Sequence, residues 1–220
     1  MSIKLSKWMV VPLAVLLLGS VALAQDTSSS GSSTQGSGTT ASTPAKQPTI
    51  AQRKENQQDR IANGVKSGQL TAGETANLES KEAAINGEAR ADRAANGGKL
   101  TGSEKQQINQ QQNQLSKQIY QDKHNANTAQ YGNNKVGQRR ENQQDRIAQG
   151  IKSGQLTAGE SRKLENQQKA INQQAKADRA ANGGKLTPGE KQQINKEQNA
   201  ASKNIYNKKH NANTQKGTKK

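Results

Sequence analysis

The segment Glu55-Asn56-Gln57-Gln58-Asp59-Arg60-Ile61-Ala62 returns 86 residues later as Glu141-Asn142-Gln143-Gln144-Asp145-Arg146-Ile147-Ala148. The same offset pairs Tyr120 with Tyr206, His124 with His210, and Asn125-Ala126-Asn127-Thr128 with Asn211-Ala212-Asn213-Thr214. About seven in ten aligned positions are identical without a gap, which reads as a tandem duplication. One structural unit is therefore expected twice, over residues 49–131 and 135–220, with Tyr131 to Val136 as the link. A shorter element, Gly-x-Leu-Thr-x-x-Glu, occurs twice in each copy, beginning at Gly68, Gly98, Gly154 and Gly184.

That element has a direct physical reading. Glycine adopts the left-handed conformation that closes a helix. Thr71 then caps the next helix, and Glu74 three residues later completes a capping box. Leu70, just before the cap, stands where a hydrophobic staple would put it. Pro188 follows Thr187 at the first helical position, where proline is favoured. Three helices per copy follow: 50–66, 72–96 and 102–124, then 137–152, 158–182 and 188–210. The fold class is all-α, a tandem duplication of a three-helix unit.

The apolar stripe on these helices is narrow. It comprises Leu78, Ile85 and Ala89 in the middle helix and Ile108, Leu115 and Ile119 in the third, with Leu115 replaced by Ala201 in the second copy. Hydrophobic residues make up only 29% of the 220 residues, and Phe and Cys are absent. So little apolar side chain cannot enclose a deep enzyme pocket, and disulfides and Cys-ligated metal sites are excluded. Slim hairpins resembling an antiparallel coiled coil are expected, marginal unless self-association as a homo-oligomer or a bound partner supplies further burial.

Residues 1–24 read as a signal peptide, with Lys4 and Lys7, an apolar run from Val10 to Leu18, and Ala22-Leu23-Ala24 as a small-x-small cleavage site. Export to the periplasm or the extracellular space follows. Residues 25–48 are rich in Ser, Thr and Gly, a composition expected of a disordered linker.

Chemistry-bearing groupings are sparse. Counting back from Glu104 as position twelve of an EF-hand loop places Gly98 at six. Positions one, three and five would be Arg93, Ala95 and Gly97, which lack the oxygen ligands that calcium requires. Capping already accounts for the same glutamates, so a calcium-responsive module is the alternative reading, followed by a hydrated stress-protective protein. His124 and His210 fall at predicted helix ends, where a cation suits the helix dipole. No nucleophile elbow, phosphate loop or metal-ligand spacing is present, so neither enzymatic activity nor a cofactor is expected.

Charge separates the copies. Residues 49–131 hold 11 Lys and Arg against 9 Asp and Glu, whereas residues 135–220 hold 19 against 7. Ala76-Asn77 becomes Arg162-Lys163, Ala83 becomes Lys169, Gln110 becomes Lys196 and Asp122 becomes Lys208, while the apolar positions stay apolar. Arg162, Lys163, Lys169, Lys176, Lys196, Lys203, Lys208 and Lys209 are the candidate residues for binding an anionic polymer or membrane surface. Such attraction is salt-dependent and weakly selective. With so few aromatics, sequence-specific nucleic-acid recognition is not expected.

The units Gln57 to Gly64 and Ser67 to Glu74, with the ending Ile119-Tyr120 to His124-Asn125, resemble a group of small, uncharacterised secreted bacterial proteins. The resemblance spans roughly residues 50–214. It implies export and helical hairpins and carries no activity, cofactor or catalytic residue.

Overall fold

A computed structural model describes residues 47–215; the expected signal peptide and nearly all of the linker lie outside the described residues. Six helices follow in order: α1 (Ile50–Lys66), α2 (Ala72–Ala95), α3 (Gly102–Lys123), α4 (Lys135–Lys152), α5 (Ala158–Ala181) and α6 (Pro188–Lys209). There is no strand among the described residues. The bounds of α2 and α3 recur in α5 and α6 at the 86-residue offset. Helix α4 starts at Lys135, two residues earlier than expected, because Asn134 serves as its N-cap and accepts from the Gly137 N–H at 3.0 Å.

Local chemistry sets the helix ends. Gly68, Gly98, Gly154 and Gly184 have φ of +72°, +91°, +69° and +88°, the left-handed region that side chains other than glycine's resist. Thr71, Thr101, Thr157 and Thr187 cap α2, α3, α5 and α6, each in a reciprocal box with a Glu three residues on. Thr49 and Gln52 form a fifth box at the start of α1, outside the repeated element. Leu70 reaches the preceding helix. It folds back over Gly64, and its N–H donates to the Gly64 carbonyl at 3.0 Å. Beyond α3 the chain returns to the first turn, where the Ala129 N–H donates to the Gly68 carbonyl; the Gln215 N–H does the same to Gly154.

The helices are not the slim, separate hairpins expected. Helix α2 packs along α5 and α1 along α4, in addition to the contacts within each copy. One core cluster therefore draws on both copies, joining Ile61, Val65, Leu78 and Ile119 to Ile147, Ile151, Leu164 and Ile205. A smaller cluster of Ile171, Ala175, Leu186, Ile194 and Ala201 lies in the second copy with Val136. The burial that neither narrow stripe could provide alone comes from the other copy of the same chain. Polar side chains fill the rest: Gln57, Gln58, Glu79, Glu82, Gln143, Gln144, Glu165 and Gln168 are all buried.

Candidate polyanion-binding surface

The eight candidate residues lie on α5 and α6; seven of them fall into three groups, and Lys209 stands apart at the end of α6. Arg162, Lys169 and Lys176 recur every seven residues along one side of α5, about 10 Å apart. Lys196 and Lys203 repeat the spacing along α6, and both are exposed. Lys163 and Lys208 form the third group, at positions whose first-copy counterparts, Asn77 and Asp122, line a groove between α2 and α3.

The nature of that groove is clearest from the first copy. There an open groove of about 330 Å³ is lined by Glu74, Asn77, Ser80, Lys81, Gln118 and Asp122. The counterpart positions are Glu160, Lys163, Asn166, Gln167, Asn204 and Lys208. Two acids and one base become two bases and one acid. Lys208 Nζ approaches Glu160 Oε1 at 3.9 Å. Burial opposes ionisation of Glu160, yet hydrogen bonds from Asn211, Thr157 and Asn213 hold its carboxyl below the usual range. Lys208 is thus partly neutralised, whereas Lys163 is exposed.

Lys169 and Lys209 are committed partly to packing. The Lys169 stem passes over Gly73 in the first turn of α2, its Cδ 3.7 Å from where a Cβ on Gly73 would stand. Lys209 lays its Cγ over Gly150, 3.3 Å from a Cβ built there. Burial, with Arg146 adding repulsion, lowers its ammonium pKa. Long cationic side chains of this kind cover apolar surface with their methylenes and keep the charge at the edge.

Comparing the copies sharpens the candidate set. Lys176, Lys203 and Lys209 correspond to Arg90, Lys117 and Lys123, so they are basic in both copies. Arg162, Lys163, Lys169, Lys196 and Lys208 are basic in the second copy alone. The counterpart of Arg162 is Ala76, buried against the rest of the fold, whereas Arg162 is half-exposed.

The glutamates that the calcium alternative needs are engaged in capping. Glu74 Oε2 accepts from the Thr71 N–H at 2.9 Å and its hydroxyl at 2.7 Å, and Oε1 accepts from Asn125 and Asn127. Glu104 accepts from the Thr101 N–H and from Asn96. His124 and His210 stack on Tyr120 and Tyr206 with ring centroids 4.2 Å apart, and each Nδ1 lies 2.7 Å from that tyrosine's carbonyl. Among the described residues no group of three or more His, Cys, Asp or Glu could hold a metal ion, and no helix is long and apolar enough to cross a membrane. Comparisons with known families, with curated proteins and with solved structures find no match to this chain.

Proposed function

We propose that this is an exported, non-enzymatic helical protein that binds an anionic envelope or extracellular polymer through its second copy. The observation that carries the reading is the placement of the five residues basic only there. All five lie at exposed or half-exposed positions of α5 and α6, while Leu164, Ile171, Ile194 and Ile205 keep the core of their counterparts. The substitutions change surface potential while these four core positions stay apolar. The leader-like residues 1–24 support export, which puts acidic polysaccharide, anionic lipid and extracellular DNA within reach. Polyanion attraction of this kind works by release of counterions and weakens as salt rises.

The test returns the five positions of the full chain to their first-copy identities: R162A, K163N, K169A, K196Q and K208D. The expected result is elution from an immobilised acidic polysaccharide at clearly lower salt, with the helical circular dichroism spectrum retained. Elution at the parental salt concentration refutes the reading. A second variant neutralising Lys176, Lys203 and the first-copy Lys117 controls for net charge, because its effect should be smaller per charge removed.

A further inference from the structure

Most of the buried polar atoms left without a partner are acceptor oxygens, and the two copies differ at position 82 and its counterpart, Gln168. In the second copy Gln143 Nε2 donates to the Gln198 carbonyl at 2.6 Å and to Ser202 Oγ at 2.7 Å. Gln168 Nε2 in turn donates to Gln143 Oε1 at 3.1 Å, which completes the Gln143 amide. The first copy repeats the first two bonds, from Gln57 Nε2 to the Gln112 carbonyl at 2.6 Å and to Ser116 Oγ at 2.8 Å. The third bond is missing. Position 82, the counterpart of Gln168, is a glutamate, and a carboxylate has no hydrogen to give.

Two oxygens are stranded as a result. Gln57 Oε1 and Glu82 Oε2 are buried with no hydrogen-bond partner, on side chains 2% and 0% exposed. The other carboxyl oxygen, Glu82 Oε1, accepts from Asn86 Nδ2 at 3.2 Å. Enclosed acceptors without a donor are costly, and an enclosed negative charge is costlier. A single proton on Oε2 removes both costs.

We infer that Glu82 is a proton-binding site, its protonated Oε2 donating to Gln57 Oε1 as Gln168 donates to Gln143, and that losing the proton loosens the packing of α1 and α2. No bond is made or broken except that of the proton, which passes to and from solvent. The surrounding charges define the balance. The Lys54 charge on α1 and the hydrogen bond from Asn86 favour the ionised form of Glu82. Helix α2 itself contributes Glu79, and its Arg90 and Arg93 act on Lys54. Helix α3 presents the neutral Gln112 and Ser116. From α5 comes Glu165, a buried carboxyl whose charge acts on Glu79. Burial outweighs Lys54 and pushes the Glu82 carboxyl up to about 7. The second copy lacks this site, since Arg140 stands in place of Lys54 and Gln168 in place of Glu82.

The experiment compares full-length wild type with E82Q, which copies the amide already accommodated in the other half. Urea unfolding is followed by circular dichroism from pH 4.5 to 9. Glu165 titrates in both proteins, whereas the Glu82 charge acts on Glu79, so the ratio of unfolding constants reports Glu82 together with its coupling to Glu79. That ratio, wild type over variant, should rise on the order of 100-fold across the range. A ratio that does not change with pH overturns the inference. Carboxyl carbon NMR on labelled glutamate supplies a second readout independent of stability. A resonance titrating near neutrality should be present in wild type and missing in E82Q. Its titration in the ordinary carboxylate range would overturn the proposal equally.

Discussion

Replacing Gly64 with alanine should destabilise this protein, although helix propensity alone predicts the opposite. Gly64 lies in the last turn of α1, where alanine is worth about 1 kcal/mol more than glycine. A Cβ built there would stand 2.7 Å from both Cγ and Cδ1 of Leu70, closer than carbon atoms approach, and 3.3 Å from Lys123 Cγ. Leu70 cannot simply turn away. It is 1% exposed, inside the shared core, and its own N–H is bonded to the Gly64 carbonyl. Overpacking of this type costs about 1–3 kcal/mol, and striking two carbons at once argues for the upper half of that range. The net expectation is a loss of about 1–2 kcal/mol. Gly87, midway along α2, has nothing within 4 Å of its missing Cβ, so Gly87→Ala should instead gain about 1 kcal/mol. Urea unfolding of both variants by circular dichroism gives the two signs directly. Equal stabilisation by both substitutions would refute the packing argument. Gly150→Ala against Leu156 repeats the test in the second copy, where the approach is 2.6 Å.

Two further outcomes follow from the shared core and its buried acids. Residues 47–134 expressed alone should lose most of their helicity or assemble as dimers, because Ile61, Val65 and Leu78 pack in one cluster with Ile147, Ile151 and Leu164. A monomeric, fully helical half in sedimentation and circular dichroism would contradict this. Burial pushes the Glu165 carboxyl up to about 8, against a bond from Gln144 Nε2 that favours ionisation. A carboxyl raised in the folded state costs nothing below its ordinary value of about 4.5, and stability is lost as pH rises towards 8. Glu165→Gln should therefore flatten the fall in melting temperature between pH 5 and pH 9, and an unchanged fall would exclude Glu165 as its source.

Helix positions were legible in advance wherever the chemistry is local. Thr71, Thr101, Thr157 and Thr187 each carry their glutamate partner three residues away, and Gly68 and Gly154 adopt the left-handed conformation that closes the preceding helix. The box of Thr49 with Gln52 went unread because glutamine, not glutamate, stands at its third position and no Gly-x-Leu precedes it. The groove lined by Asn77 and Asp122, whose counterparts are Lys163 and Lys208, was also hidden, since those positions are 45 apart and line one groove only when the third helix of a copy folds back along the second. Differences between the copies were the one available signal, because both positions turn basic together.

The largest departure concerns the glutamines and glutamates between the apolar positions. In a single amphipathic helix they belong to the solvated side, and Gln57, Glu79 and Glu82 give no local sign of being anything else. They are enclosed where helices meet: Gln57 bonds to Gln112 and Ser116 on α3, and Glu79 on α2 feels the charge of Glu165 on α5. Capping, turn conformation and charge depend on neighbours within a few residues, so the chain's order of amino acids determines them by itself. Burial depends on which surfaces meet, and with it the cost of an unpaired oxygen and the ionisation of an acid. Those were decided only when the six helices packed within and between the copies, removing water from side chains that a lone helix would leave exposed.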